Sequence, residues 1–178
     1  MDKAINSKKS RIIMVTGGQR SGKSVFAERL ALNLSARPVY LATARVYDEE
    51  MRHRVEIHKQ RRKDQWKNLE SPLYITENIF QDTDIVLLDC LTLWATNWFF
   101  ELNEHIEEAL KEMKRQIEVV INTGATFIMV ANEVGLGGVS ANAMQRRFSD
   151  LQGYLNQFIA EKAEDVYFII SGIPVKIK

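Results

Sequence analysis

Residues 11–24 read RIIMVTGGQRSGKS, and this stretch decides the fold of the chain. The apolar run at 12–15 has the length and β-rich composition of a strand, and residues 25–32 have helical composition. Between them, residues 17–24 fit the pattern G-x-x-x-x-G-K-[ST] of a phosphate-binding P-loop. Because the pattern lies between a strand and a helix, it predicts a nucleoside triphosphate site.

Each residue type in this loop suits phosphate binding. Gly17, Gly18 and Gly22 allow tight turns and bring backbone N–H groups against phosphate oxygens. A helix that begins near Gly22 adds the positive end of its dipole. Lys23 is expected to reach the β- and γ-phosphates, and Ser24 to offer its hydroxyl to Mg²⁺.

Composition excludes several other classes of protein. The chain has 178 residues and a net charge of +1, so we expect no nucleic-acid partner and no attraction to a membrane surface. No apolar run approaches the roughly 20 residues of a membrane span. Cys90 is the single cysteine, and residues 1–10 lack the apolar core of a secretory signal, which favours the cytoplasm. We expect a disordered tail at 1–10 and one α/β domain at 11–178.

Strand-like and helix-like segments alternate, which predicts a P-loop NTPase-like, mostly parallel sheet flanked by helices. Apolar residues at three- and four-residue steps over 106–120 and 144–159, starting with Met144 in the second series, predict helices whose apolar faces pack in the core. A short C-terminal strand is a candidate for antiparallel pairing. The expected strands are 11–16, 38–43, 84–89, 125–131 and 165–171, with the last at 175–177 after a turn at 171–174.

The apolar segment 84–88 is followed by Asp89, which matches the Walker B pattern of an acidic residue that acts on Mg²⁺. An aspartate at the end of a strand can also be an ordinary turn signal. The P-loop favours the metal-binding interpretation, because a P-loop enzyme needs such a group. Cys90, with no second cysteine in the chain, is interpreted as a small buried thiol rather than a nucleophile.

A basic segment at 52–63 reads RHRVEIHKQRRK. Its arginines could clamp nucleotide phosphates, and neighbouring cations favour a neutral imidazole, which is a competent nucleophile toward phosphorus. The alternative is a solvated basic helix face. The residues alone leave both His53 and His58 as candidates for the nucleophile. Residues 48–66 are crowded with charge, and we expect them outside the core as an exposed helix.

With these motifs together, the chain resembles the bifunctional adenosylcobinamide kinase/adenosylcobinamide-phosphate guanylyltransferase family. The resemblance implies phosphorylation of adenosylcobinamide by ATP or GTP. Transfer of GMP from GTP to that phosphate would follow, through a GMP-histidine intermediate, giving adenosylcobinamide-GDP and pyrophosphate. The matching stretches are VTGGQRSGKSVFAE, YLATARVYDEEMRHRVEIHKQRR, LLDCLTLWATN, NEVGLGGVSAN, RRFSDLQGYLNQ and SGIPVKIK.

The resemblance also implies roles for individual residues. The family pattern R-[VI]-x-x-H-[KR] falls on residues 54–59 and assigns the nucleophile to His58, although Ile57 stands where many members have a histidine. Lys23 is the second implied catalytic residue, and Ser24 and Asp89 the implied ligands of Mg²⁺. The implied nucleotide contacts are Gly17, Gly18, Gln19, Arg20, Ser21, Gly22, Lys23, Ser24, Ala42, Thr43, Ala44, Lys59, Gln60, Arg61, Arg62, Glu70 and Asp89.

The implied partners are a corrinoid substrate and other copies of the same chain. The loop NEVGLGG and the helix after it are candidates for corrinoid contacts, and a homo-oligomer, with a trimer favoured, is expected. Two alternatives stay open at this point. A monofunctional P-loop small-molecule kinase would leave His58 without a role. A GTP-binding switch module would need an Asn-Lys-x-Asp motif, whereas residues 131–134 read ANEV.

Overall fold

The computed structural model describes residues 9–45, 49, 52, 53, 56 and 63–178. The protein is built around one seven-stranded sheet. With the strands numbered along the chain, at the ranges given below, their order in the sheet is β3-β2-β4-β5-β1-β6-β7. All neighbouring strands run parallel except the antiparallel pair β6 and β7. The predicted fold class is therefore confirmed. The strands are β1 (Arg11–Gly17), β2 (Val39–Ala42), β3 (Lys67–Glu70), β4 (Ile85–Asp89), β5 (Thr126–Val130), β6 (Asp165–Ile170) and β7 (Ile173–Lys176).

Helices cover both faces of the sheet. Ile13 and Val15 of β1 pack toward Ala27 and Ala31 on one face, while Met14 belongs to the larger core cluster on the other. The larger cluster also contains the apolar sides of three helices. Successive residues of β1 belong alternately to the two clusters, because successive side chains of a strand point to opposite faces of the sheet. The helices are α1 (Lys23–Leu34), α2 (Leu91–Glu101), α3 (Ile106–Val120) and α4 (Ala143–Lys162), with short 3-10 turns at Lys63–Gln65, Ile75–Glu77 and Gly135–Gly137.

The strand order brings three chain segments to one edge of the sheet. β5 lies between β1 and β4, with Val130 aligned to Val15 on one side and to Asp89 on the other. Since parallel strands end at the same edge, the loop after β1, the residue that ends β4 and the segment after β5 are neighbours. Ligands of open parallel sheets bind outside this edge.

The last strand corrects the prediction of a strand at 175–177. It begins at Ile173, because the turn before it consists of Ser171 and Gly172, whose φ angles are 50° and 83°. Pro174 lacks an N–H group, yet it fits here because β7 is the outermost strand. The strands predicted at 11–16, 38–43, 84–89, 125–131 and 165–171 are present with small shifts at their ends.

Two elements were not predicted from the sequence. Strand β3 reads KNLE and is mostly exposed at the other edge of the sheet, so it lacks an apolar pattern. Helix α2 reads LTLWATNWFFE, and Trp94, Ala95 and Phe99 are at most 1% exposed. Because this helix is apolar on nearly every side, its sequence shows little amphipathic contrast.

Two expectations about burial were wrong. Met144 begins the apolar series of α4 but is 40% exposed, because the first turns of that helix extend beyond the core. Trp66 falls in the segment expected outside the core, yet it is 4% exposed and packs edge-to-face on Tyr40 at 5.8 Å between ring centroids. Glu49, Arg52, His53 and Glu56 of the same segment are helical and exposed, as expected.

Replacing Gly153 with Ala is expected to stabilise the protein. Gly153 lies inside α4, and a Cβ atom there would meet nothing within 4 Å. Since glycine in a helix interior costs about 0.8–1.0 kcal/mol relative to alanine, the free energy of unfolding should rise by about 0.5–1 kcal/mol. Urea denaturation measures this change. Gly138→Ala is the matched control: its surroundings are equally open, but its φ of 92° should make alanine destabilising. Equal responses of the two variants would contradict this account.

Candidate nucleotide-binding site

The predicted phosphate loop joins β1 to α1 and has the backbone that its glycines allow. Gly22 caps the helix in a left-handed conformation, with φ at 98°, and Lys23 is the first residue of α1. The Lys23 side chain is 7% exposed, and its Nζ donates a hydrogen bond to the Gly18 carbonyl at 2.5 Å. Burial lowers the pKa of Lys23, while Cys90 and Asp89 act in the opposite direction. The loop therefore encloses a cation close to its own backbone.

A turn at the far end of the chain supports the phosphate loop. The Gly172 N–H, in the turn between β6 and β7, donates to the Ser21 carbonyl at 2.8 Å. A Cβ atom on Gly22 would lie 3.2 Å from the Gly172 Cα. This role of Gly172 was not predicted, because a turn signal in the sequence does not show which distant loop the turn contacts.

Gly17→Ala is expected to destabilise the protein at the phosphate loop. The Gly17 φ is 149°, and an added Cβ atom would lie 2.5 Å from the backbone oxygen of Ile169, so β1 and β6 would have to separate. Strain of this kind costs about 1–3 kcal/mol. Thermal denaturation should show a lower midpoint for this variant than for Gly18→Ala, whose Cβ would meet nothing within 4 Å. A midpoint equal to that of Gly18→Ala would contradict the packing argument.

The second predicted element, Asp89, ends β4 at the same edge as the loop. Its carboxylate is half-buried, and its Oδ2 accepts a hydrogen bond from the Tyr40 hydroxyl at 2.8 Å. Cys90, the next residue, is hydrogen-bonded to Thr43 directly after β2. Thr43 Oγ1 donates to the Cys90 carbonyl at 2.8 Å and accepts from the Cys90 N–H at 2.9 Å. These bonds fix the position of the Asp89 carboxylate relative to the predicted contacts at 42–44.

Cys90 is buried, as the sequence indicated. Burial, followed by the charge of Asp89, raises the pKa of the Cys90 thiol to about 12. The thiol therefore stays protonated near neutral pH, and its Sγ accepts a hydrogen bond from the Leu93 N–H at the start of α2. A thiol in this state is a weak nucleophile, which agrees with the interpretation of Cys90 as a packing residue.

Some of the other residues predicted to contact the nucleotide lie at this edge, and the rest lie outside the described residues. Glu70 ends β3 in register with Ala42, which is itself in register with Asp89. Ser24 is half-buried in the first turn of α1, and Gln19 and Arg20 are exposed on the phosphate loop. His58, Lys59, Gln60, Arg61 and Arg62 lie outside the described residues.

The part of the basic segment that the structure describes is solvated. His53 and Glu56 are exposed, and Arg52 pairs with Glu49 through Nη1 and Oε1 at 3.1 Å. One turn apart on a helix, such exposed ion pairs contribute little to stability. The alternative interpretation, a charged helix face in water, therefore accounts for these described residues.

A third group of polar side chains lies at this edge, around Glu133. Glu133 belongs to the loop NEVGLGG, which is expected to contact the corrinoid, but its link to the phosphate loop was not predicted. Thr16 Oγ1 and Asn156 Nδ2 both donate to Glu133 Oε1, at 2.9 Å and 3.0 Å. The Glu133 N–H donates to the Gly17 carbonyl at 3.1 Å. The available signal was an Asn-Glu pair directly after a buried strand, which is the pattern already used for Asp89.

The donor set at this edge fits Mg²⁺ bound together with a nucleotide. Mg²⁺ prefers oxygen ligands and usually takes one or two from the protein, with the remainder from phosphates and water. Ser24 and Asp89 offer a hydroxyl and a carboxylate at the same edge. Within the described ranges, no group of three or more His, Cys, Asp or Glu residues could hold a metal by itself. No helix in the described part of the chain is long and apolar enough to cross a membrane.

Known proteins share sequence similarity with most of this chain. The chain is 36% identical over 181 residues to the bifunctional adenosylcobalamin biosynthesis protein CobU of Escherichia coli, covering 94% of this chain and 99% of that one. It is 38% identical over 168 residues to the bifunctional adenosylcobalamin biosynthesis protein CobP of Pseudomonas aeruginosa, covering 93% and 96%. Among solved structures, the P4 protein from bacteriophage phi6 in complex with ADP is similar at 14% identity and a TM-score of 0.48, over 94% of this chain and 54% of that one. The family described as cobinamide kinase / cobinamide phosphate guanyltransferase matches residues 13–177, and the chain belongs to this family.

Proposed function

We propose that this protein phosphorylates adenosylcobinamide with ATP or GTP and then transfers GMP from GTP to adenosylcobinamide phosphate. The observation that carries the proposal is the enclosed Lys23 on a formed phosphate loop, at the edge of the sheet that also presents Asp89. The family description names cobinamide and cobinamide phosphate, which supports a cobinamide as the acceptor of the phosphate. Two relatives are named as bifunctional proteins of adenosylcobalamin biosynthesis. The products would be adenosylcobinamide-GDP and pyrophosphate.

In the kinase step, the chain mainly positions phosphate groups and offsets their charge. The loop N–H groups and the first turn of α1 would hold the β- and γ-phosphates, and Lys23 Nζ would leave the Gly18 carbonyl to contact them. Ser24 and Asp89 would hold Mg²⁺, which supplies positive charge to the same phosphates. Tyr40 keeps the Asp89 carboxylate oriented through its hydroxyl.

In the guanylyl step, His58 would attack the α-phosphate of GTP. A bond forms between the imidazole nitrogen and the α-phosphorus, and the bond to the bridging oxygen breaks, so pyrophosphate leaves. The phosphate of adenosylcobinamide phosphate then displaces GMP from His58. Arg54, Lys59, Arg61 and Arg62, the cations around the histidine in the sequence, would offset the charge on pyrophosphate.

The segment after β5 is the proposed contact for the corrinoid. Leu136 and Val139 are 73% and 90% exposed, and they follow Glu133 at the edge that carries the phosphate loop. Apolar side chains in this position could pack against a large, partly apolar ring. A cytoplasmic location and a trimeric assembly stay predictions, and light scattering of the purified protein would test the assembly.

The test of the proposed function is a two-stage conversion. Purified protein with Mg²⁺, ATP and adenosylcobinamide should give adenosylcobinamide phosphate, and later addition of GTP should give adenosylcobinamide-GDP, both identified by mass spectrometry. Formation of the phosphate alone would favour the monofunctional kinase. Slow hydrolysis with tightly retained GDP, and no corrinoid product, would favour the switch module.

A further inference from the structure

Glu133 lies between the two elements that handle the nucleotide. It follows β5, which separates the phosphate-loop strand β1 from the Asp89 strand β4. The Glu133 N–H donates to the Gly17 carbonyl at 3.1 Å, and the Asn132 N–H donates to Thr92 Oγ1, at the start of α2, at 2.8 Å. The backbone here is therefore tied to the phosphate loop on one side and to the helix after Asp89 on the other.

The Glu133 side chain is fixed through one of its two oxygens. Oε1 accepts from Thr16 and from Asn156, at 2.9 Å and 3.0 Å. Asn156 is in turn held by Gln152, whose Nε2 donates to Asn156 Oδ1 at 2.7 Å, and both amides are buried. The half-buried Glu133 makes no hydrogen bond through Oε2 to any part of the chain that the structure describes. A carboxylate held in this way keeps one oxygen available at a defined position.

The carboxylate also lies on the face of the sheet opposite α1. Val15 packs toward α1, and Met14 packs toward the other face, so Thr16, by alternation, lies with Met14. Glu133, bonded to Thr16 and to Asn156 of α4, is therefore on the face opposite the phosphate-binding helix. In phosphoryl transfer the attacking and leaving oxygens lie roughly in line, on opposite sides of the phosphorus.

The other described carboxylates that end strands at this edge have different surroundings. Asp89 accepts from Tyr40, and its charge acts on the ammonium of Lys23. Glu70 ends β3, the outermost strand on the far side of the sheet from β1. Neither is bonded to the strand that leads into the phosphate loop in the way that Glu133 is.

Resting on the proposed kinase function, we propose that Glu133 is the catalytic base of the phosphorylation step. Glu133 Oε2 accepts the proton of the cobinamide hydroxyl as that oxygen bonds to the γ-phosphorus. The bond from the γ-phosphorus to its bridging oxygen breaks, and the nucleoside diphosphate leaves with the electron pair. The protonated Glu133 then returns its proton to water. Thr16 and Asn156 act as positioning residues that aim the free oxygen.

Glu133→Gln tests this assignment, since glutamine has nearly the same shape but is a very weak base. A general base contributes about 10²- to 10⁴-fold, so kcat for phosphorylation should fall by this factor while KM for the nucleotide changes little. Labelling of the protein by GTP carrying a labelled α-phosphate should be unchanged, because that reaction abstracts no hydroxyl proton. Glu161→Gln, which alters an exposed carboxylate at the end of α4, should leave both reactions unchanged.

A second variant separates catalysis from folding. Glu133→Ala should lose phosphorylation in the same way, and added formate should restore part of it by taking the place of the missing carboxylate. Glu133→Gln with kcat within about tenfold of the wild type would overturn the proposal. Parallel loss of phosphorylation and labelling, with no rescue by formate, would also overturn it and make Glu133 a structural residue. A wild-type protein that is labelled but phosphorylates no cobinamide would overturn the proposed kinase function and this assignment with it.

Discussion

His58→Ala is expected to abolish guanylyl transfer and to leave phosphorylation of adenosylcobinamide in place. The two reactions differ in the atom attacked, since the kinase step needs no covalent bond to the protein whereas the guanylyl step passes through His58. Incubation with Mg²⁺ and α-labelled GTP, followed by denaturation, should leave label on the wild-type protein and none on the variant. A phosphoramidate should be labile in acid and stable in base.

The matched control is His53→Ala, which removes the other histidine of the basic segment. His53 is exposed on a helix, and its described neighbours Arg52 and Glu49 pair with each other, so labelling should persist. Label that survives in His58→Ala but is lost in His53→Ala would exchange the roles of the two histidines. An unlabelled wild-type protein that still phosphorylates adenosylcobinamide would leave a monofunctional kinase.

The fold was predictable where the signal is local. One continuous stretch of sequence contains the apolar run of β1, the glycines of the phosphate loop and the helix start at Lys23. Together these parts match the strand–loop–helix motif of a P-loop. The same holds for Asp89 at the end of β4. A strand buried on both faces needs continuous apolar residues, and it ends where a polar side chain appears. Strand β3 lacks such a pattern, because an outer strand faces water and can consist of polar residues.

The links within the site that were missed are contacts between distant segments. Gly172 contacts the phosphate loop although about 150 residues separate them in sequence. Glu133 donates its N–H to the Gly17 carbonyl because β5 lies beside β1. No short motif in the sequence encodes the strand order, which depends on where each crossover connection places the next strand. The Asn-Glu pair after β5 was visible in the sequence, but only the neighbouring Thr16 and Asn156 show why its carboxylate matters.

Lys23→Met is expected to remove both activities, in contrast to His58→Ala and Glu133→Gln, which each affect one. Lys23 is the buried cation of the loop, and in the proposed function both transfers place a nucleoside triphosphate against it. Loss of one such charge-stabilising group costs about 10²- to 10³-fold in kcat. Phosphorylation and α-phosphate labelling should therefore fall together by at least this factor, in assays at saturating nucleotide. Methionine keeps the apolar stem, so packing around α1 is retained.

The stability of Lys23→Met should not fall with its activity. Burial lowers the pKa of Lys23 below its ordinary value of 10.5, so the folded state binds the proton less tightly than the unfolded state. Stability then rises with pH between the lowered value and 10.5, and at neutral pH the buried charge is unfavourable. Urea denaturation at neutral pH should give Lys23→Met a midpoint at or above that of the wild type. Lost activity with a lowered midpoint would mean that the variant had damaged the fold. Retention of either activity would mean that Lys23 does not serve both reactions.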